Sequence, residues 1–396
     1  MPPSSKAHQV VLIVTCWLGG IATCLLFLQY SQRNCQSLAF PSKQEKTLSE
    51  ISLNGIKDDP KEVTKEALKE VLKELTKEVP KEATTPAVQK EKPILLVWVW
   101  PENFRFDLSD CQTYYNIDGC RIIDDRNLYN QADAVLIFHK AISWDLSNLP
   151  PSPRPPFQRW IWFHVESPTN THRIPGLENL FNLTLSYRRD ADISVRYPLT
   201  VSKTPIEGFQ IPKKDKLLCW FVSNTNPSTG TGTRMKFYEE FKKHINIDIF
   251  GNMAGKRLKD EEYFPTMSSC KFYLSLENSI HKDYITEKFN GPVSVGTVPV
   301  VLGPPRENYE QFAPHNSFIH VNDFASPLEL ANYLLQLDKD DEAYSRYFEW
   351  RKHVTATRHL TTWNQEFVTY ICHACEYIGV HKEYKEAHDI YKWYFS

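Results

Sequence analysis

The stretch Ile94-Leu95-Leu96-Val97-Trp98-Val99-Trp100 is an uninterrupted apolar run that ends at Pro101 and Glu102. A strand with one wet face alternates polar and apolar residues, whereas a strand covered on both faces does not. The run therefore predicts a buried parallel strand. Ala134 to Phe138 (AVLIF) and Trp160 to Phe163 (WIWF) repeat the pattern, each followed by polar residues. A second series begins at Leu217 with LLCWFVS, passes through a predicted helix over Arg234 to Lys243, and continues as INIDIF, CKFYLSLEN and VPVVLG. Strands separated by helical or irregular segments imply an α/β fold. Two successive Rossmann-like, doubly wound domains facing a cleft are the expected architecture. In such sheets ligands sit beyond the carboxyl ends of the strands, so the polar residues that follow each run are the candidates for chemistry.

Upstream the composition changes. Val10 to Leu28 (VVLIVTCWLGGIATCLLFL) carries no charge, and at 1.5 Å per residue such a helix nearly crosses a hydrocarbon core of about 30 Å. A cleaved signal peptide is the competing reading, but its apolar region is usually about 7–15 residues. A short span suits the thin bilayers of the early secretory pathway and Golgi. Lys6 before it and Arg33 and Lys43 after it do not orient it. Residues 1–9 are then a cytoplasmic tail, 10–28 a transmembrane signal anchor and 29–92 a stem. Within the stem, Pro60 to Ala83 (PKEVTKEALKEVLKELTKEVPKEA) spaces Val63, Ala67, Leu68, Val71, Leu72, Leu75 and Val79 as a helix would. That helix is either exposed and held by i,i+4 charge pairs, or it self-associates through its apolar stripe, which with the span would make a homo-oligomer.

Topology comes from the rest of the chain. Asn182-Leu183-Thr184 is its one N-glycosylation sequon, which has meaning only in the lumen. Of nine cysteines, Cys16 and Cys24 lie in the span and Cys35 just beyond it. Cys111, Cys120, Cys219, Cys270, Cys372 and Cys375 remain, and behind a signal anchor an even number favours disulfides. A single-pass type II protein with a lumenal body is the consistent arrangement.

The net charge of −2 and a pI near 6.7, with charged runs that alternate in sign, exclude the electrostatic footprint of a nucleic-acid binder. Ten Trp and nineteen Tyr suit carbohydrate binding, although aromatics also fill cores. No G-x-G-x-x-G or P-loop string occurs. Cys372-His373-Ala374-Cys375 lacks the second pair that a zinc site requires. Asp190-Ala191-Asp192 has the D-x-D spacing that can hold a divalent metal against a diphosphate, but it follows Arg188 and Arg189 and reads as surface charge.

The densest chemistry lies in Ser275 to Gly303, SLENSIHKDYITEKFNGPVSVGTVPVVLG. An apolar strand exits into Glu277-Asn278-Ser279, followed by Tyr284 and Thr286-Glu287-Lys288. A helix starting near Thr286 would present free N–H groups to an anion, and Lys288 adds a positive charge. The arrangement suits a nucleotide-diphosphate sugar.

FYLSLENSIHKDYITEK together with VPVVLG closely resembles the donor-binding motif of the eukaryotic α1,3-fucosyltransferase family, the Golgi, Lewis-type members of glycosyltransferase family 10. WIWFHVESP, FNLTLSYRRDADI, CWFVSN and RENYEQFAPHNSFIHVNDF are similar to the same family, and the resemblance runs from about residue 93 onward. It implies a GT-B-like fold, with an acceptor-side domain over 93–210, a GDP-fucose-binding domain over 211–360 and a helical tail over 361–396 returning to the first domain. It also implies a Golgi type II protein that transfers fucose from GDP-fucose to glycans with inversion, any divalent metal being accessory.

Residue by residue, the resemblance assigns the donor site to Tyr197, Ser223, Asn224, Arg234, Tyr273, Glu277, Asn278, Ser279, Tyr284, Glu287 and Lys288. Arg234 and Lys288 would hold the diphosphate and Glu287 the ribose. Glu166, in His164-Val165-Glu166-Ser167-Pro168, would be the general base, with His164 as the rival; His139 and Lys140 would border the acceptor. It pairs Cys111 with Cys372, Cys120 with Cys375 and Cys219 with Cys270. The chain departs from the pattern in three places. Phe138-His139-Lys140-Ala141 replaces His-His-Arg and an acid, Asn103-Phe104-Arg105 replaces a Gly-Gln-type segment, and Gly291-Pro292 replaces Asn-Ala. Proline inside a helix costs about 3 kcal/mol, so either the helix starts later or the donor site is altered. The competing functions are a transferase of another GDP-sugar, such as GDP-mannose, or to another acceptor, and a lumenal glycan-binding protein with weak or no turnover.

Overall fold

β1 (Ile94–Val99) forms where the opening apolar run predicts it. The structure, a computed structural model, describes residues 91–396 apart from 152, 198, 203 and 360–362. The tail over 1–9, the span over 10–28, Cys16, Cys24, Cys35, the Lys-Glu repeat and almost all of the stem lie outside the described residues. No described helix is long and apolar enough to cross a membrane.

β1 joins β2 (Arg121–Ile123), β3 (Ala134–Phe138), β4 (Arg159–Phe163), β5 (Leu183–Ser186) and β6 (Ile193–Ser194) in a six-stranded parallel sheet of order β2-β1-β3-β4-β5-β6. β7 (Leu199–Val201) leaves this sheet. The second sheet contains β8 (Lys216–Phe221), β9 (Asp248–Phe250), β10 (Cys270–Leu276), β11 (Val298–Leu302) and β12 (Ile319–His320). It too is parallel, in the order β12-β11-β10-β8-β9. β13 (Val354–Ala356) returns to pair antiparallel with β7. The chain is thus a mixed α/β protein built on two parallel sheets, and both sheets belong to one compact unit, Gln89–Ser396.

The helices are α1 (Asp110–Tyr115), α2 (Gly232–Phe241), α3 (Asp260–Ser268), α4 (Glu287–Val295), α5 (Arg306–Tyr309), α6 (Pro327–Asp338), α7 (Asp341–Ser345), α8 (Trp363–Val380) and α9 (Ile390–Tyr394). The first sheet is poor in helices of its own, since its crossovers after α1 are short 3-10 turns and loops. Its cover comes from far along the chain. Leu95 and Val97 pack with Leu136, Ile161 and Phe163 against Ile371 and Ile378 of α8. Leu96 and Trp98 pack with Trp160 and Trp162 against Ile390 and Tyr394 of α9. Both faces of β1 are therefore dry, which is why its sequence does not alternate; each fully buried side chain of this size contributes about 1.5–3 kcal/mol. Cys111–Cys372 and Cys120–Cys375 tie α8 to the first sheet's edge, and Cys219–Cys270 joins β8 to β10, in the pairing that the resemblance implies.

Candidate active site

The strand exits of the two sheets converge on Asn278, the second residue after β10. Asn278 lines three adjoining cavities, of about 520 Å³, 360 Å³ and 480 Å³. The first is walled by Ser223, Asn224, Arg234, Tyr273, Glu287 and Lys288, all expected donor-site residues, together with Arg257 and Tyr263. The second holds Glu166, Tyr197, Tyr284, Glu287 and Lys288. The third holds Lys140, Glu166, Thr169, Asn170, Asn224 and Thr229. Gly230 closes the junction at φ +83°; a Cβ there would lie 2.9 Å from the Ser279 Cβ and 3.0 Å from the Asn278 carbonyl oxygen, so only glycine fits.

In the first cavity three cations, Arg234, Arg257 and Lys288, face one lining carboxylate, Glu287. Arg234 on α2 is buried, and its guanidinium donates to the carbonyls of Leu276 (3.2 Å) and Asn224. Its Nε is buried with no hydrogen-bond partner among the described residues. Burial lowers the Arg234 pKa, against the pull of Glu277. Lys288 Nζ reaches Glu287 Oε1 at 2.9 Å, Thr286 Oγ1 at 3.0 Å and Glu277 Oε2 at 3.4 Å. Burial works against its charge, but the two carboxylates outweigh that and raise its pKa. Glu277, 3% exposed, accepts the N–H (2.8 Å) and hydroxyl (2.9 Å) of Thr286; burial raises its pKa. Burial also acts on Glu287, but Lys288 more than offsets it and draws the pKa down to about 2.

The helix that carries Lys288 does not start late. Thr286 caps α4, its side chain accepting from the Lys288 N–H, and the helix runs through Gly291 and Pro292. Pro292 has no N–H for the carbonyl four residues back, which belongs to Lys288. Ser275 of β10 donates to that carbonyl instead, at 2.7 Å. The proline is accommodated by the neighbouring strand, and the backbone of Lys288 is pinned in the process.

Glu166 follows β4 of the first sheet and lines the second and third cavities. Its Oε1 accepts from Lys140 Nζ at 2.8 Å, and Lys140 stands 3.9 Å from Glu102, within the segment where the chain departs from the family pattern. His139 turns away from the cleft. It is buried, with Nδ1 accepting from Trp162 Nε1 (3.1 Å) and Nε2 on the His172 carbonyl (3.0 Å), and burial pulls its pKa down to about 4. Of the two residues expected beside the acceptor, Lys140 therefore lines the cleft, whereas His139 does not, because its ring is buried between Trp162 and the His172 carbonyl. His164 is fully buried as well. Thr171 spends its hydroxyl hydrogen on the Ser167 carbonyl (2.8 Å), so His164 Nε2 donates to Thr171 Oγ1 (2.6 Å), and its Nδ1 has no partner among the described residues. Burial depresses its pKa well below the usual histidine value. Ser279 lines none of the three cavities; it is buried and donates to Ser167 Oγ at 2.6 Å, joining the two strand exits.

Arg257, Tyr263, Arg196 and His359 line the cavities and were not foreseen. Nothing local marks them, since Arg257 sits in an ordinary charged segment and His359 comes far down the chain. Asp190 and Asp192 are engaged elsewhere, Asp190 with Arg188 (2.8 Å) and Lys282 (3.3 Å), Asp192 with the Thr184 N–H (2.8 Å) and Lys385. The sequon expectation needs correction. Asn182 is fully buried; its Oδ1 accepts from the Trp160 N–H and from Arg154 Nη1, both at 2.8 Å, and its Nδ2 donates to the Lys385 carbonyl at 2.8 Å. A glycan on that nitrogen does not fit this packing, and the side chain instead ties β4 to the segment before α9.

Two family models match the chain: the fucosyltransferase N-terminal model over residues 90–198, and the glycosyltransferase family 10 (fucosyltransferase) C-terminal model over residues 211–393. The 4-galactosyl-N-acetylglucosaminide 3-alpha-L-fucosyltransferase 9 of Rattus norvegicus is 52% identical over 76% of this chain and 82% of its own length. The 3-galactosyl-N-acetylglucosaminide 4-alpha-L-fucosyltransferase FUT3 of Bos taurus is 42% identical over 76% of this chain and 81% of its own. Among solved structures, an alpha1,3-fucosyltransferase with GDP-fucose is similar at a TM-score of 0.46 and 16% identity, over 73% of this chain and 92% of that one. The chain is a glycosyltransferase and belongs to the fucosyltransferases of glycosyltransferase family 10.

Proposed function

We propose that this chain transfers L-fucose from GDP-β-L-fucose to the 3-hydroxyl of N-acetylglucosamine in lactosamine-type glycans, with inversion at fucose C1 and Glu166 as general base. The observation that carries the reading is that Glu166 and Lys288 line one cavity of about 360 Å³, next to the cavity lined by Arg234, Arg257 and Lys288. A base and a diphosphate-stabilising group lining one space are what a single displacement needs. The name of the rat relative, a 3-fucosyltransferase of galactosyl-N-acetylglucosaminides, supports the linkage and the acceptor.

In this mechanism the acceptor O3 attacks C1 as Glu166 takes its proton. The C1–O bond to the β-phosphate breaks, and GDP leaves with its added charge met by Arg234 and Lys288, so no metal is required. The β-linked donor becomes an α-linked product. Glu166 is preferred to His164 because it lines two of the cavities, whereas His164 lines none of the three and has its Nε2 on Thr171. Glu166→Gln is expected to keep GDP affinity and lower transfer by about 10²-fold or more, the scale of lost acid–base catalysis. Near-normal transfer by that variant, with a folded but inactive His164→Ala, would move the base to His164. Assays with GDP-fucose, GDP-mannose and UDP-sugars on lactosamine acceptors, with the anomer read by NMR, test donor and inversion together.

The cellular setting is proposed on the same terms: a Golgi type II membrane protein with residues 10–28 as signal anchor, a lumenal catalytic region from residue 93, and self-association through span and stem. The uncharged run Val10–Leu28 and the three disulfides support it. Cleavage of residues 93–396 by protease added outside intact Golgi vesicles would reverse the topology.

A further inference from the structure

The helix α9 is anchored to the first sheet independently of the cleft. Asp389 caps it, accepting from the N–H groups of Tyr391 (3.0 Å) and Lys392 (2.9 Å). The Ile390 N–H donates to the Glu178 carbonyl at 2.9 Å, and the Tyr391 hydroxyl accepts from the Ile174 N–H at 2.7 Å. Arg188, itself buried, donates to the carbonyls of Trp393 (2.7 Å) and Tyr394 (3.1 Å). The Tyr394 ring is fully buried, edge-on to Trp162 at 4.9 Å and 5.4 Å from the His164 ring. Tyr394 lines none of the three cavities. From this fixed ring its hydroxyl donates to the main-chain carbonyl of Glu166.

We infer that Tyr394 is a positioning residue for fucosyl transfer, its hydroxyl holding the peptide group after Glu166 and thereby aiming the Glu166 carboxylate at the acceptor hydroxyl. The inference rests on the reading of Glu166 as base. The strand gives Glu166 little support of its own. The ladder's last bond is from the His164 N–H to the Leu185 carbonyl (3.0 Å), and the next turn starts at Pro168. Glu166 lies in the short segment between, gripped at its carboxylate by Lys140 and at its carbonyl by Tyr394. The lysine grip must loosen when the carboxylate takes a proton, because the charge that holds it disappears. The tyrosine grip is on the backbone and survives the proton transfer. A shift of about 1 Å in a reacting group can cost on the order of 10²-fold in rate, so rotation of this one peptide is enough to matter.

Tyr394→Phe removes the hydroxyl and keeps the ring, and the α9 anchors do not involve that hydroxyl, so the full-length variant is expected to fold. The measurements are kcat, KM for GDP-fucose, GDP affinity and Tm. Turnover is expected to fall about 10- to 100-fold, while GDP affinity and KM for GDP-fucose stay within about twofold. In a Glu166→Gln background, Tyr394→Phe should cost nothing further, because the carboxylate it aims is gone. Tyr394→Leu, which also loses the ring, is the structural control and should lower Tm and GDP affinity as well. Unchanged kcat in Tyr394→Phe overturns the inference, and so does an equal loss in both backgrounds, which marks a purely structural role. A near-normal Glu166→Gln removes the base reading and this inference with it; an inactive Glu166→Gln beside a fully active Tyr394→Phe removes the inference alone.

Discussion

In the proposed mechanism Lys288 serves both the empty and the loaded site. Its ammonium lies between Glu287 at 2.9 Å and Glu277 at 3.4 Å, so its charge is kept and aimed before any phosphate arrives. Lys288→Ala removes the proposed phosphate contact and leaves Glu277 and Glu287 without this cation. Arg234→Ala removes a buried fork but no carboxylate partner. Each variant is expected to lose about 10²–10³ in turnover, the cost of deleting one group that stabilises developing charge, or about 2.7–4 kcal/mol. Lys288→Ala should in addition bind GDP more weakly, because Glu277 and Glu287 then repel the diphosphate. Radiometric transfer at saturating GDP-fucose, with calorimetric GDP binding, separates the two effects. Lys288 was readable in the sequence because it follows a strand exit and opens a predicted helix, whereas the role of Arg234 came from the family resemblance alone. Arg257 and His359 were not, since only folding brings them to the cleft.

At the scale of an element, α4 answers the question that Gly291-Pro292 raised. A helix with proline past its first turn must find a donor for an orphaned carbonyl, and Ser275 is that donor. Ser275→Ala is therefore expected to destabilise the fold by about 1–3 kcal/mol, the cost of an unsatisfied buried acceptor. Pro292→Ala in that background restores an N–H able to reach the Lys288 carbonyl and should recover most of the loss. Urea unfolding of the two single variants and the double variant measures the coupling; additive effects would mean that Ser275 does not stand in for the missing N–H.

The whole molecule is held by contacts between distant parts of the chain, and two bulk measurements report on them. Once Cys111–Cys372 is closed, Cys120–Cys375 closes only the small ring of residues 111–120 and 372–375, and the converse is equally true. Removing either pair should cost about 3 kcal/mol or less; removing both frees the long loop and should cost up to about 5 kcal/mol more. Equal, additive losses in thermal melts would contradict this account. Stability should also fall in acid. His139 titrates near 6.5 when unfolded and near 4 when folded. Between those values the unfolded chain binds a proton that the native state does not. Its contribution is thus complete above about pH 6.5 and is lost as pH falls towards 4, by about 3 kcal/mol. His164, shifted in the same direction by burial, adds to the loss. Melting temperatures across pH 7.5 to 4.5 should drop steeply, and less so for His139→Gln.

Sequence alone determined the two parallel sheets and the Glu277 to Lys288 constellation. Burial on both faces writes itself into a strand as an unbroken apolar run, and a strand exit followed by a helix start carries its ligand chemistry within a few residues. The shorter and more polar strands β2, β5 and β6 carry no such run, and the first sheet is covered by α8 and α9 from the other end of the chain. The tertiary structure alone decided that His139 turns inward, that Asn182 is buried as a tie rather than displayed as a glycan acceptor, and that the Tyr394 hydroxyl reaches the carbonyl of Glu166, 228 positions earlier. Each of these depends on which distant segment fills the space beside a residue. A local pattern reports whether a side chain is buried, but its partner is chosen by packing between elements far apart in the chain.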